Sequence, residues 1–257
     1  MAGPVKLQSQ KHMVLLGCGY TAQAMIPSLR AAGFKITGTA RTAEKAKALS
    51  TLGVDGIVFD GNPDEGLRRA LSTATHLISS IPPTQDGDPA LMALGKSWMD
   101  GAPQLKWAGY LSATSVYGNR NGHWVFEDEL LYPSSARGKA RVLAELDWCE
   151  SGAPVHIFRI AGIYGPNING KTRNAFARIR SGKARAIIKS GHVSSRIHVH
   201  DIASAIMASI ARPDPLMIYN LADNHPAPPQ DVLNYAAKLL GTTIPQVDLE
   251  NAKMSDM

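Results

Sequence analysis

Six residues, GCGYTA from Gly17 to Ala22, have the spacing of a turn that can hold a phosphate. They follow the apolar run MVLL and precede an apolar-periodic segment, so they join a strand to a helix. Gly17 permits the tight turn, and Gly19 lets the backbone approach a pyrophosphate. Ala22 is small enough for the helix to pack on the strand. The N–H groups of the first helical turn, at Tyr20 and Thr21, then point at the anion, where the helix dipole favours negative charge. The chemistry implied is dinucleotide binding. Cys18 lies in the same turn and reads as a small buried filler rather than a redox group.

The choice of dinucleotide is read at the end of the next strand. NAD-binding chains place Asp or Glu there for the ribose 2′-hydroxyl. Here the residues are GTART, with no acid and with Arg41 just past the strand. A guanidinium suits a 2′-phosphate, and Lys45 is near in sequence, so NADP is expected in preference to NAD. The competing reading of Arg41 is a solvated residue on the first turn of a helix. Asp60 follows the third strand and has two readings: a partner for the adenine amine, or a loop cap. Ser80 and Ile81, in SSIPP, end the fourth strand on the edge where adenosine would lie.

A second group of residues is odd for its place. PSSARGKARVLAE, Pro133 to Glu145, reads as the start of a helix, yet its first turns carry Arg137, Lys139 and Arg141. The positive end of a helix dipole disfavours cations by a few tenths to about 1 kcal/mol each. Either these residues form a solvated basic face or an anion sits opposite them. Further along, Arg159, Tyr164, Arg173, Asn174, Arg196 and His198 are candidates for a substrate-anion pocket. His123, Glu127 and Asp128 lie on a loop that a substrate could reach. His198, His200 and Asp201 lack a further ligand cluster, so no metal is expected, and Asp201 reads as a helix cap.

The chain of 257 residues is 44% hydrophobic and 19% charged, which is the composition of a folded protein rather than a disordered one. Its net charge of +6 is spread without a Lys/Arg block or interleaved aromatics, so small anions rather than nucleic acid are the expected partners. Two distant cysteines, Cys18 and Cys149, imply free thiols in a reducing compartment. MAGPVKLQSQKH has no apolar leader core, and no apolar run is long enough to cross a bilayer. A cytoplasmic protein without a membrane partner is expected.

The elements that must position these residues alternate. Strands are expected at 13–17, 34–40, 54–59, 76–81, 105–112 and 154–160. Helices are expected at 21–32, 42–49, 63–71, 91–99 and 136–150. Continuous apolar strands between helices argue for a parallel sheet covered on both faces, with right-handed crossovers. This is an α/β, doubly wound Rossmann fold, with ligands at the carboxyl ends of the strands. Residues 1–160 form the dinucleotide-binding domain. Residues 161–257 form a small C-terminal substrate lobe interleaved with the sheet edge. IAGIYGPNING opens it as an irregular stretch; helices at 173–181, 201–211 and 230–240 and strands at 196–199 and 217–221 follow. The chain ends at Met257 soon after TIPQVDLENAK, so either the lobe is short or a partner completes it. The helices at 91–99 and 136–150 could pair in a homodimer.

GCGYTA, LSATSVYG (Leu111 to Gly118), PSSARGKARVLAE, FRIAGIYGP (Phe158 to Pro166) and RIHVHDIASAI (Arg196 to Ile206) occur in one order over most of the chain. Together they resemble the extended and atypical short-chain dehydrogenase/reductases, which include NAD(P)-dependent epimerases and dehydratases. The resemblance implies a cofactor-side position for Ser112. It also implies a catalytic Ser or Thr, a Tyr and a Lys. Here those positions fall on Ala113, Arg137 and Arg141. Arginine stays protonated and cannot cycle as a proton carrier, but it can clamp a carboxylate or phosphate. Arg137 and Arg141 are therefore expected to hold substrate, and proton transfer would fall to Thr114, Tyr117, Tyr164 or water, with Ser115 beside them. Two functions remain open: an NADP(H)-dependent oxidoreductase or epimerase-like enzyme for a small anionic substrate such as a sugar derivative, and a non-catalytic NADP-binding module acting as redox sensor or assembly subunit.

Overall fold

The computed structural model describes residues 10–248. The expectations for the first nine residues and for the chain after 248 lie outside the described residues. The first part runs β1 (His12–Leu16), α1 (Tyr20–Ala31), β2 (Lys35–Ala40), α2 (Ala43–Ala48), β3 (Asp55–Val58), α3 (Glu65–Thr73), β4 (His76–Ser79), α4 (Pro89–Leu94), β5 (Trp107–Ala113), α5 (Ala136–Glu150) and β6 (Val155–Ile160). It continues through β7 (Gly162–Ile168), β8 (Lys171–Arg173), α6 (Ala175–Arg180), β9 (Ala186–Ile188), β10 (Arg196–His198), α7 (Val199–Ala211), β11 (Ile218–Leu221), α8 (Pro229–Leu239) and β12 (Gln246–Asp248).

Seven strands form one parallel sheet in the order β3-β2-β1-β4-β5-β6-β11. Alternate residues of each strand face opposite layers, and both layers are apolar. Met13 and Leu15 pack with Met25 and Leu29 of α1 and Ile202 and Ile206 of α7. Val14 and Leu16 share the other layer with Leu67 and Leu71 of α3 and Ala144 and Trp148 of α5. The chain winds outward from β1 to β3, then returns to β4 on the other side of β1. That reversal opens a crevice at the carboxyl ends of β1 and β4, the place where such sheets bind ligands.

The C-terminal part is divided between two places. α7 and β11 complete the main layers, while β10-β7-β8 and β12-β9 form two small sheets beside α6 and α8. IAGIYGPNING is thus β7 and the turn into β8, not an irregular stretch. The helix expected over 91–99 is shorter. Asp88 caps it through the Ala90 and Leu91 N–H groups, and Gly95, at φ +79°, stops it before a separate 3-10 turn at Trp98–Gly101. The suggested dimer bundle therefore lacks one of its two long helices. The cap of α7 is His198, whose Nδ1 accepts the His200 N–H, and Asp201 sits inside the first turn instead. No helix among the described residues is long and apolar enough to cross a membrane.

Candidate functional site

The glycine turn leaves β1 directly into the crevice. Gly17 has φ +80°, and its N–H donates to Thr39 Oγ1 at 2.8 Å, while Cys18 N–H donates to the Thr39 carbonyl at 2.8 Å. On the other side the Ser80 hydroxyl donates to the Gly17 carbonyl. A Cβ on Gly17 would come within 2.9 Å of Ile81 Cγ1. The turn is therefore wedged between the ends of β2 and β4, and only glycine fits. At Gly19 a Cβ would meet nothing nearer than the Gly17 carbonyl at 3.9 Å. That open space, in front of the first N–H groups of the 12-residue α1, is where a phosphate fits. Thr21 is half-buried on this turn. The Tyr20 side chain turns away: it is buried, and its hydroxyl donates to the Pro166 carbonyl at 3.0 Å, which leaves only its backbone for an anion.

Arg41 is exposed at the end of β2, just before Thr42 caps α2 through the Lys45 N–H at 3.4 Å. Asp60 accepts from Asn62 N–H at 3.1 Å and Asn62 Nδ2 at 3.3 Å through one carboxylate oxygen, so it caps its loop while the second oxygen stays open. Ser80 and Ile81 lie at the crevice, as described above, and both are half-buried.

At the end of β5, Ala113 leads into a single 3-10 turn, Thr114–Tyr117. α5 abuts that turn: a Cβ on Gly138 would lie 2.6 Å from the Ser115 carbonyl. Ser135 caps α5 by accepting the Gly138 N–H at 3.0 Å. Arg137 and Lys139 are exposed. Arg141 instead folds back on β5, donating to the Leu111 carbonyl, and its guanidinium lies 5.9 Å from the Tyr110 ring. Its Nε is buried without a partner. Arg141 braces the strand end, and Arg137 and Lys139 are the cations left facing solvent.

Ser112, Arg159 and Asn220 are register partners across β5, β6 and β11. They carry a buried polar network that α5 closes. Glu145 accepts from the Ser112 hydroxyl at 2.5 Å and pairs with Arg159 Nη2 at 2.9 Å. Arg159 Nη1 donates to Tyr117 Oη at 2.8 Å and to the Glu127 carbonyl at 3.0 Å. The Tyr117 hydroxyl in turn donates to Asn220 Oδ1 at 2.7 Å. Burial disfavours the Arg159 charge, but the hydrogen bonds to Glu145 and Tyr117 outweigh it and hold its pKa above the ordinary value.

This network corrects three expectations. Tyr117 cannot hand a proton to a substrate, because its hydroxyl is saturated and the residue is 2% exposed. Ser112 turns to Glu145 rather than to the crevice. Arg159 is 3% exposed and fully engaged, so it is no substrate cation. Sequence reasoning gave Glu145 no role. The signal was present: an arginine inside the apolar strand VHIFRI requires a buried counter-charge.

The other lobe residues lie on or beside the β10-β7-β8 sheet. Asn174 caps α6 by accepting the Ala177 N–H at 2.8 Å, and its amide donates to the Gly165 carbonyl at 3.2 Å. Arg196 donates to the Ala227 carbonyl at 3.1 Å. Tyr164 is exposed with its ring 5.2 Å from that of His198. Arg173 lies over the Tyr20 ring at 5.6 Å. Glu127 anchors its loop by accepting the Asn220 N–H at 2.7 Å, whereas His123 and Asp128 are exposed. Among the described residues no three His, Cys, Asp or Glu side chains are grouped to hold a metal. Thr114 is half-buried in the turn that follows β5, and beside it the Ser115 hydroxyl is buried without a partner.

No family model matches the chain. A UDP-glucuronic acid 4-epimerase from Bacillus cereus, solved in complex with NAD, is 17% identical over 93% of this chain and 87% of that one, with a TM-score of 0.76. The fold is thus that of the extended short-chain dehydrogenase/reductases, the NAD-dependent epimerase/dehydratase group. A functionally unknown conserved protein from Silicibacter pomeroyi is 43% identical over 94% of this chain and 83% of its own, with a TM-score of 0.85. The chain belongs to one family with that protein. Protein YeeZ of Escherichia coli K12 is also similar, 29% identical over 252 residues that cover 92% of this chain and 86% of YeeZ.

Proposed function

We propose that the chain is an NADP(H)-dependent oxidoreductase or epimerase-like enzyme acting on a small anionic substrate such as a sugar derivative. The observation that carries this reading is the glycine turn at the β1–β4 crevice, closed at Gly17, open at Gly19 and flanked by Arg41. The B. cereus epimerase of the same fold, solved with NAD, supports a dinucleotide there. When bound, the dinucleotide would supply hydride exchange at nicotinamide C4. The first-turn N–H groups of α1 hold its pyrophosphate and Arg41 its 2′-phosphate. Arg137 anchors the substrate anion, and Thr114 orients it by a hydrogen bond. Because neither arginine of α5 can give up a proton, proton exchange falls to Thr114, Tyr164 or a water. The two free cysteines suit a cytoplasmic setting, and the exposed Leu143 and Leu146 of α5 offer a surface for a homodimer.

A second reading, a non-catalytic NADP-binding module, is favoured by one observation: Tyr117 is sequestered, and Ala113, Arg137 and Arg141 supply no acid at the positions that usually carry it. Titration with NADPH and NADH, followed by nicotinamide fluorescence, tests the shared part. Arg41→Ser is expected to weaken NADPH about tenfold and to leave NADH unchanged, since the lost contact is a charge-assisted one to the 2′-phosphate. A panel of carbonyl and nucleotide-sugar substrates then separates the readings. Turnover that Arg137→Ala abolishes marks an enzyme; tight NADPH binding without oxidation across the panel marks the module.

A further inference from the structure

We infer that the β7–β8 hairpin is a strap over the dinucleotide, with Lys171 and Arg173 binding its pyrophosphate from the side opposite the glycine turn; this rests on the dinucleotide reading above. The strap is tethered to the first turns of α1. Asn169 Nδ2 donates to Gln23 Oε1 at 2.8 Å, and Gln23 Nε2 donates to the Cys18 carbonyl, inside the turn, at 3.0 Å. On β7 itself the Pro166 carbonyl accepts the Tyr20 hydroxyl at 3.0 Å. Gly165 makes that approach possible, since a Cβ there would come within 2.7 Å of Tyr20 Oη and 2.8 Å of Val199 Cγ1. The hairpin therefore docks on the residues that form the phosphate cradle.

Among the described residues the cations it brings have no ion-pair partner. Arg173 lies 5.6 Å over the Tyr20 ring. Lys171 is close enough for its charge to act on the Cys18 thiol, which burial pushes up to about 12. Both are exposed, and neither takes part in the two ion pairs found among the described residues. The sequence from 151 to 200 holds nine Lys and Arg and no Asp or Glu, so no acid of that stretch can neutralise them. Two unpaired cations held against the positive end of α1 repel it, and an anion between them is attracted by both cations and by the helix end, which offsets that repulsion. Arg173 thus belongs to the cofactor side rather than to a substrate pocket.

The test is the affinity of Lys171→Gln/Arg173→Gln for NADPH and for NADH. Both dinucleotides carry the pyrophosphate, so both dissociation constants are expected to rise together, by about tenfold or more. The charge-retaining Lys171→Arg/Arg173→Lys should stay within about threefold of the parent. Arg41→Ser, by contrast, should separate the two dinucleotides. If the parent protein binds neither dinucleotide, the cofactor reading falls and the strap falls with it. If the parent binds but the Gln double variant binds both within twofold of it, or loses NADPH alone, the strap is overturned and the cofactor reading stands. The thermal midpoint of the double variant should not fall, since both side chains are exposed and unpaired.

Discussion

Glu145→Ala is expected to lower folding stability by about 3–5 kcal/mol, a large fraction of what holds a domain of this size together. The residue is 5% exposed and its partner Arg159 is 3% exposed. Removing the carboxylate strips two charge-assisted contacts from a guanidinium that water cannot reach, and strands the Ser112 hydroxyl as well. The damage should spread to the loop after β5, because Arg159 also holds the Glu127 carbonyl and Tyr117, and Tyr117 holds Asn220. Removing both charges should cost much less. Glu145→Met/Arg159→Leu is expected to recover most of the loss, since an apolar pair has no desolvation penalty. Urea unfolding of the two single variants and the double variant measures the coupling; additive losses would mean that the pair does not act as a unit.

The main sheet was legible because its strands are short apolar runs bounded by glycine, proline or polar residues, and a parallel sheet buries both faces of every strand. α5 was legible to the residue, since Pro133 and Ser135 mark its start and its apolar period is unbroken. β7 and β8 were not, because Gly162, Gly165, Pro166 and Gly170 read as punctuation. Gly165 serves a contact between elements far apart in sequence, against Tyr20 and Val199, and no local pattern announces it. α4 was drawn too long for a related reason: Trp98 and Met99 continue the apolar period past Gly95, which ends the helix by its backbone conformation.

The site divided along the same line. Gly17 and Gly19 carry a positional code, and the turn is where that code placed it. Roles assigned to polar side chains from their place in a motif fared differently. Tyr117, Ser112 and Arg159 stand where motifs put them, but their partners come from α5 and β11, 14 to 103 residues away. Whether a hydroxyl faces a crevice or a buried carboxylate depends on those partners. Only the apolar setting of Arg159 hinted at one.

Acid should unfold the protein earlier than its carboxylates alone would dictate. A row of histidines lies at the amino edge of the sheet, away from the crevice: His12 opens β1, His76 opens β4 and His156 lies near the start of β6. Rings link them to the core, His76 to Phe34 at 4.8 Å and His156 to Trp107 at 5.3 Å. His12 is held between Thr73 and Thr37 at 3.0 and 2.9 Å. His156 Nε2 accepts the Asp214 N–H at 2.9 Å, so a proton there would displace that bond. Burial lowers the pKa of all three, and that of His76 to about 4 with help from Lys11 and Lys106. The sign follows from linkage. Above about 6.5, where an unfolded histidine is neutral, the row costs nothing; as pH falls from there to about 4 the unfolded chain takes up protons that the folded one refuses, and stability drops. His76, whose pKa is pushed furthest, accounts for the largest share of that drop. Asp88 works the other way, because burial raises its pKa and acid relieves its charge, so the net loss is smaller than the histidine sum. Urea midpoints taken from pH 7.5 to 4.5 should fall steeply in the parent and less in His76→Gln. Saturating dinucleotide should lift the whole curve without changing its slope, because the row and the crevice sit at opposite ends of the strands. A parent curve that stays flat over this range would mean that the folded sheet accepts these protons as readily as the unfolded chain does.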